Sequence, residues 1–280
     1  MVSLPGRRKL SQQIDRMVLA MLSRGMPDSF DEEQMGSPPL AEIVEQTTVN
    51  RQKTNLYNLV APGEHPIWLN TPLGDIRCSV KVRLAILPSA PLLLYHHGFA
   101  EIPYTATWSR IMPNSQPFPA HAVAVQAPFH DGIGDPLNKG FSSANHVYQM
   151  FAGSLRVYEL MRERFAENGA AFTVTSGLSW GGITSLLYEA IFGQARATVP
   201  FFASPNLAQV MADGARLTGR PLPVEREVLD GYFDFTPIVN GSGAGRIFPV
   251  LGEDDLFFRF EEHAVLYSPD YLRTVKGAHV

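Results

Sequence analysis

Short apolar runs alternate with helical segments along most of the sequence, and this alternation limits the possible folds more than any other feature. The runs at 91–95, 122–126 and 198–202 have the continuous apolar character of strands that are buried on both faces. Residues 143–168 lie between two such runs and have apolar side chains at helical spacing. Strands joined by crossover helices form a parallel sheet with helices on both faces. The sequence therefore predicts an α/β fold with a mostly parallel central sheet.

The length of the chain is consistent with one large domain. Its 280 residues are enough for one large α/β domain with a sizeable core, and few for two enzyme domains. We assign residues 51–280 to this domain. Residues 1–50 form a preceding extension, which consists of a predicted helix at 10–22 and a polar linker at 28–39.

The predicted helix at 10–22 has one apolar face, which consists of Leu10, Ile14, Met17, Val18, Met21 and Leu22. We expect this face to pack on the core or on a second subunit, and the second arrangement would make the protein a homo-oligomer. Binding to a membrane surface is the weaker alternative, because Asp15 interrupts the basic character of the segment. Deletion of residues 1–50 is expected to change stability or oligomeric state more than chemistry.

Composition argues against several classes of protein. A formal net charge of −4 gives no strong field, so we expect neither a nucleic acid nor an anionic membrane as a partner. The single cysteine, Cys78, is predicted to be a half-buried strand residue rather than a reactive thiol. No segment approaches the roughly 20 apolar residues of a transmembrane helix. Polar residues follow the basic segment 7–9 where a signal peptide requires an apolar run, so we expect a cytoplasmic protein.

The strongest local signal is the segment Gly177-Leu178-Ser179-Trp180-Gly181-Gly182, between a predicted strand at 172–175 and a predicted helix at 183–192. A serine hydroxyl is a poor nucleophile unless it is exposed and next to a base. A tight turn from strand to helix exposes it, and small residues on either side allow the turn to close. The turn also places Ser179 at a helix N-terminus, where backbone N–H groups favour negative charge. The alternative is a glycine-rich turn in which Ser179 only caps the helix.

Two later segments contain a candidate acid and a candidate base. A predicted strand at 247–251 leads into Glu253, Asp254 and Asp255, and His279 follows a predicted strand at 271–275. Ligands gather at the carboxyl ends of the strands in parallel sheets. In a parallel α/β sheet whose nucleophilic serine lies in a strand-to-helix turn, the acid and then the histidine follow the serine along the chain, and this sequence has that order.

With these motifs, the sequence resembles the α/β-hydrolase superfamily over residues 60–280. The resemblance implies that Ser179 is the nucleophile and His279 the catalytic histidine. It implies that Asp255, the third residue after Gly252, is the acid, and Asp254 is the alternative. The family usually has a helix after the histidine, whereas this sequence stops at Val280, so we expect His279 to be less well held.

The resemblance also implies an oxyanion hole that consists of two backbone N–H groups. One belongs to Phe99, in the loop after the strand at 91–95, and the other belongs to Trp180. Gly98 is expected to permit an unusual backbone path in this loop. For His96 and His97 we favour a role in ordering the loop through hydrogen bonds over a chemical role.

Aromatic residues near the predicted strand ends suggest an apolar substrate pocket. Its candidate members are Trp108, Phe129 and His130, with a loop hydrogen bond as the alternative for His130. Relatives of this fold often have a cap between two late strands, and here it would be a small one at 205–245. His263 lies in a helical stretch beside two glutamates and is expected to face solvent.

Taken together, these residues predict a serine hydrolase that cleaves a small-molecule carboxylic ester through an acyl-enzyme. The sequence has none of the common metal-ligand spacings, so we expect no metal and no cofactor. An amidase, a thioesterase or an acyltransferase would use the same three side chains. A non-catalytic binding protein on the same fold is the alternative outside enzymes.

Overall fold

A computed structural model of the protein describes residues 10, 12–20, 38–113, 116–132, 139–241 and 246–279. Within these residues, nine strands form one sheet in the order β1-β2-β3-β5-β4-β6-β7-β8-β9. The strands are β1 (Thr48–Val49), β2 (Gly63–Thr71), β3 (Gly74–Arg83), β4 (Leu92–His96), β5 (His121–Gln126), β6 (Thr173–Leu178), β7 (Ala197–Phe201), β8 (Val250–Gly252) and β9 (Arg273–Val275).

The helices among the described residues cover the sheet. They are α1 (residues 12–20), α2 (Leu40–Gln46), α3 (Ala106–Ile111), α4 (Ala144–Glu167), α5 (Trp180–Phe192), α6 (Leu207–Thr218), α7 (Arg226–Phe233), α8 (Thr236–Asn240) and α9 (Phe260–His263), with 3₁₀ turns at Leu56–Val60 and Ala264–Leu266. None of the described helices is both long and apolar enough to cross a membrane.

The sheet has two parts. The pairs β1–β2, β2–β3 and β3–β5 are antiparallel, and all pairs from β5 through β4, β6, β7 and β8 to β9 are parallel. This confirms the predicted mostly parallel α/β sheet. In the β4–β6 ladder, His96 is paired with Gly177. The loop after β4 and the turn after β6 therefore leave the sheet side by side.

The long helix α4 forms where the sequence predicts a helix, at 143–168. The Ser143 side chain accepts a hydrogen bond from the backbone N–H of His146, which caps the N-terminus. Gly169 follows the C-terminus with a φ of 96°, a conformation that favours glycine. Phe151, Leu155 and other apolar residues of this helix are fully buried in the core.

One predicted helix near the C-terminus is shorter in the structure. The helix predicted at 257–266 is present only as α9 and a 3₁₀ turn. The reason lies in Asp255, whose Oδ1 accepts hydrogen bonds from the N–H groups of Phe257 and Phe258. These two N–H groups close a turn around the carboxylate instead of starting a helix.

The predicted apolar face of the N-terminal helix is wrong at Leu10 and Met17, whereas Val18 packs against the core as expected. Leu10 and Met17 are 59% and 63% exposed, whereas Asp15 is fully buried and Leu19 is 8% exposed. The side of the helix with Asp15 and Leu19 faces inward because the carboxylate of Asp15 accepts backbone hydrogen bonds from the sheet domain. Met21, Leu22 and residues 28–37 of the predicted linker lie outside the described residues. Association of subunits through the exposed side of α1 stays a prediction.

The sequence analysis places the start of the sheet domain at residue 51, but the sheet already includes residues before it. Helix α2 packs on α4, and β1 pairs with β2 through Thr48 and Val49. The segment at 205–245 contains α6, α7 and α8, which lie between β7 and β8 in the chain. Cys78 is 1% exposed, so it is fully rather than half buried, and burial raises the pKa of its thiol.

Candidate active site

Ser179 lies in a strained turn between β6 and α5. Its φ and ψ are 55° and −115°, a backbone conformation that costs a residue with a side chain about 1–3 kcal/mol. The turn is held by the hydrogen bond from the Ser179 N–H to the carbonyl of Phe201, at 2.8 Å. The structure thus has the sharp strand-to-helix turn that the glycine-rich segment predicts.

The glycines on either side of Ser179 are required by close backbone approaches. A Cβ atom on Gly177 would lie 2.2 Å from the carbonyl of Gly181, and a Cβ atom on Gly181 would lie 2.2 Å from the carbonyl oxygen of His96. A Cβ atom on Gly182 would lie 2.4 Å from the Cβ of Ala203. All three distances are far below van der Waals contact, so no side chain fits at these positions.

Asp255 and His279 form a buried hydrogen-bonded pair at the ends of β8 and β9. His279 Nδ1 lies 2.8 Å from Asp255 Oδ2, and Asp255 is 3% exposed. The other oxygen of this carboxylate accepts the N–H groups of Phe257 and Phe258, at 2.8 and 3.0 Å. The ring of Phe257 stacks on the His279 ring, with centroids 4.5 Å apart. Both ring torsions of the histidine are therefore constrained, and its Nε2 is on the side away from the acid.

The structure brings Asp255 to His279 as the sequence predicts, and it gives Asp254 a different environment. The backbone N–H of Asp254 donates to the carbonyl of Gly277, at 3.0 Å. This bond connects the loop after β8 to the segment that leads to His279.

The two candidate oxyanion donors lie where β4 and β6 end. Trp180 is the first residue of α5, so its N–H has no partner within the helix. The loop that contains Phe99 is ordered by Glu101, whose carboxylate accepts the N–H groups of Gly98 and Thr107 at 3.1 and 2.5 Å. The expectation about Gly98 is wrong: the positive φ in this loop, 57°, belongs to Ala100. A Cβ atom on Gly98 would make only ordinary contacts.

The histidines before Gly98 order the loop through hydrogen bonds, as the sequence suggests. The Nε2 of His97 accepts the N–H of Ala127 at 3.0 Å, so its Nδ1 carries the proton and donates to the carbonyl of Gly98 at 2.6 Å. His96 Nε2 lies 2.9 Å from the hydroxyl of Ser154. Burial lowers the pKa of His96 to about 3 and that of His97 well below its usual value. Both rings are therefore neutral near pH 7.

A mostly apolar cavity of about 190 Å³ adjoins Ser179 and His279, which both line it. Its walls come from three places: the buried side of α1, helix α6 with the segment after it, and the aromatic residues around the oxyanion loop. The apolar lining includes Val18, Leu19, Phe99, Phe141, Ile183, Leu207, Val210, Met211 and Phe257. A ligand at Ser179 would therefore be surrounded by aliphatic and aromatic side chains.

The predicted pocket residues Trp108, Phe129 and His130 do not line the cavity that the described residues enclose. Trp108 is 2% exposed and packs on Tyr95 in a separate cluster. His130 is 1% exposed, and its Nδ1 bonds to the carbonyl of Pro128 at 2.9 Å. Phe129 packs against the ring of His146. These residues pack against neighbouring side chains and backbone and do not face the cavity.

Sequence reasoning missed the cavity residues of α6. Leu207, Val210, Met211 and Gly214 lie at i, i+3, i+4 and i+7, which is the spacing of one helical face. This pattern in the sequence indicates an apolar helix face, but it does not show that the face lines a cavity at Ser179.

The expectation that His263 faces solvent is wrong. The side chain is fully buried, and Nδ1 contacts the hydroxyl of Ser204. Its other near neighbours are Asp213 and Glu262, and ligand atoms of the three residues lie within 4.8 Å of one another. Arg216 pairs with Asp213 at 2.6 Å and Arg259 with Glu262 at 2.5 Å. The guanidinium groups thus balance the two carboxylates of this cluster.

Neither a protein-family model nor a curated protein matches the sequence. Solved structures do match. The acetyl xylan esterase from Paenibacillus sp. R4 superposes with a TM-score of 0.52 and 12% identity, over 94% of each chain. The acylaminoacyl peptidase of Pyrococcus horikoshii gives 0.52 and 13%, over 81% of this chain and 38% of the peptidase. Prolyl oligopeptidase B from Galerina marginata gives 0.51 and 14%, over 76% and 33%.

The chain spans about a third of the length of the two peptidases, and nearly the whole length of the esterase. At identities of 12–14%, such likeness is informative about the fold alone. The strand order, the parallel ladders and the turn at Ser179 agree with it. The protein has the α/β-hydrolase fold.

Proposed function

We propose that the protein is a serine hydrolase that cleaves a carboxylic ester through an acyl-enzyme, with Ser179, Asp255 and His279 as its catalytic triad. One observation carries this proposal. The strained serine and the Asp255-bound histidine line the same apolar cavity. A nucleophile, a base beside it and a third group that orients the base are the elements that serine catalysis requires.

In this mechanism, the hydroxyl of Ser179 attacks the ester carbonyl while Nε2 of His279 takes its proton. Asp255 accepts the Nδ1–H of the ring, fixes the tautomer and stabilises the imidazolium. The N–H groups of Phe99 and Trp180 stabilise the oxyanion. The imidazolium then protonates the leaving alcohol, and water hydrolyses the acyl-enzyme by the same route. No cofactor takes part in these steps.

The lining of the cavity favours an ester over more polar substrates. Its walls are mostly aliphatic and aromatic, so an apolar acyl or alcohol group gains from desolvation there. An amidase, a thioesterase or an acyltransferase would use the same triad, and substrate series distinguish these activities. A purely binding role explains less, because a ligand-binding protein has no need of a strained serine beside a histidine–carboxylate pair.

Labelling with a fluorophosphonate tests the proposal, because this reagent phosphonylates activated serines and leaves ordinary ones unmodified. We expect one adduct, on Ser179, in peptides analysed by mass spectrometry. The matched control is Ser109→Ala, which changes an exposed serine of α3 and should leave labelling intact. No adduct on the folded protein, or an adduct that persists in Ser179→Ala, would refute the assignment.

A further inference from the structure

Asp15, on the N-terminal helix α1, accepts backbone hydrogen bonds from His279 and from the residue that follows Asp255. Its Oδ2 accepts the N–H of His279 at 3.1 Å and the N–H of Leu256, the residue after Asp255, also at 3.1 Å. The side chain is fully buried. One oxygen atom therefore joins the loop after β8 to the loop after β9.

Burial of a carboxylate costs desolvation free energy, so it is an unfavourable means of attaching a helix. Burial raises the pKa of Asp15, while the N–H groups of His279 and Leu256 act in the opposite direction. An apolar residue at this position would pack against the core without that desolvation cost. Val18 and Leu19 already provide apolar contacts from the same side of the helix. Attachment of α1 alone therefore does not account for an acid at this position.

Past strand β9, the segment that leads to His279 has few backbone hydrogen bonds in the described residues. Strand β9 has three residues, all exposed, and the residues after it, through His279, belong to no helix or strand. Strand β9 pairs with β8, and the loop after β8 donates to the segment through Glu253 N–H to Val275 O and Asp254 N–H to Gly277 O, both at 3.0 Å. The bond from His279 N–H to Asp15 fixes the histidine backbone itself.

We propose that Asp15 is a positioning residue, which holds the backbones of His279 and Leu256 in the register that lets Asp255 bond to the imidazole. The N-terminal helix is then a part of the active site, and Val18 and Leu19 extend that part to the cavity wall. This inference rests on the proposed function. It also reverses the expectation that removal of residues 1–50 changes stability or oligomeric state more than chemistry.

Replacement of Asp15 separates this role from a merely structural one. Asp15→Ala removes the acceptor, and we expect kcat on an aryl ester to fall about 10- to 100-fold, because small misplacements of catalytic groups have effects of this size. KM should change by no more than about twofold, because the cavity wall is kept. Asp15→Asn keeps an oxygen acceptor in the same place and should restore most of the lost kcat.

Met17→Ala is the matched control, since Met17 lies on the exposed side of the same helix, 63% exposed. This variant should have wild-type kcat and KM. Circular dichroism and the melting temperature establish that each variant is folded. A folded Asp15→Ala with wild-type kcat would overturn the positioning role and leave the proposed function intact, as would equal losses in Asp15→Ala and Met17→Ala. Wild-type protein without Ser179-dependent turnover would instead refute the proposed function, and the role of Asp15 with it.

Discussion

Asp255 Oδ2 lies 2.8 Å from His279 Nδ1, and the same carboxylate is fixed by two backbone N–H groups through its other oxygen. The acid therefore cannot rotate away from the imidazole without breaking hydrogen bonds in a buried site. This arrangement keeps the proton on Nδ1 and the lone pair on Nε2, as a base for Ser179 requires.

Substitution of the adjacent residues Asp254 and Asp255, one at a time, tests which of them is the catalytic acid. Asp255→Asn should lower kcat by roughly 10⁴, because an amide at this position favours the wrong histidine tautomer. Asp254→Asn should lower it by no more than about tenfold, since the backbone N–H of this residue, which the substitution keeps, makes the bond to Gly277. Steady-state kinetics of the two variants at neutral pH decide the matter. A larger loss at Asp254 would contradict the assignment of the acid.

The close approach at Gly181 predicts a large loss of stability on substitution. In Gly181→Ala the new Cβ would lie 2.2 Å from the carbonyl oxygen of His96, so the turn must shift, at about 3 kcal/mol or more. Gly231→Ala is the control, because nothing lies within 4 Å of a Cβ at this exposed position in α7. It should gain about 0.5–1 kcal/mol from helix propensity. Urea unfolding measures both effects, and a neutral Gly181→Ala would argue against the tight turn.

The cavity wall that α6 forms should set the length of the acyl chain that is accepted. Met211→Trp places a larger side chain in the cavity, so kcat/KM for an aryl octanoate should fall at least about tenfold more than for an aryl acetate. Leu217→Trp serves as the control, because Leu217 lies on the same helix, is 38% exposed and is absent from the lining. Equal effects of Met211→Trp on both esters would mean that the acyl chain does not enter this cavity.

Buried neutral histidines should make the protein sensitive to mild acid. Burial lowers the pKa of His96 to about 3 and that of His130 to about 4. Below pH ~6.5 the unfolded chain binds protons that the folded protein excludes, so stability falls as the pH is lowered from this value towards the folded pKa. Each such histidine contributes up to about 1.4 kcal/mol per pH unit.

Thermal unfolding between pH 7.5 and 5 tests this, with His130→Gln as the comparison. The wild-type melting temperature should fall with decreasing pH, and the variant should show a shallower fall because it has one fewer titrating ring. Parallel curves for the two proteins would contradict a neutral His130 in the folded state.

The features that the sequence predicts well are encoded by short segments. The turn at Ser179 depends on glycines within three residues of it, and the helix α4 on its own apolar spacing and the cap at Ser143. Asp15 illustrates the opposite case. Its partners, Leu256 and His279, are more than 200 residues away in the chain, and an acid among apolar residues of a helix is typical of an exposed face. Only the tertiary structure shows that it is buried.

The pocket predictions failed for a related reason. Trp108 and His130 are turned into the core, and Phe129 is partly buried against it. The residues that do face Ser179 come from α1 and α6, and the position of these two helices over the sheet is not encoded in any local pattern.

The activity of Ser179→Ala is the most direct test of the account. We expect kcat on p-nitrophenyl acetate to fall by a factor on the order of 10⁴ to 10⁶, with an unchanged circular dichroism spectrum, because the hydroxyl lines the cavity and does not cap the helix that follows it. The rate that remains in fluorophosphonate-treated wild type is the baseline for hydrolysis that does not depend on an activated serine. A folded Ser179→Ala protein that hydrolyses the ester at the wild-type rate would contradict the account.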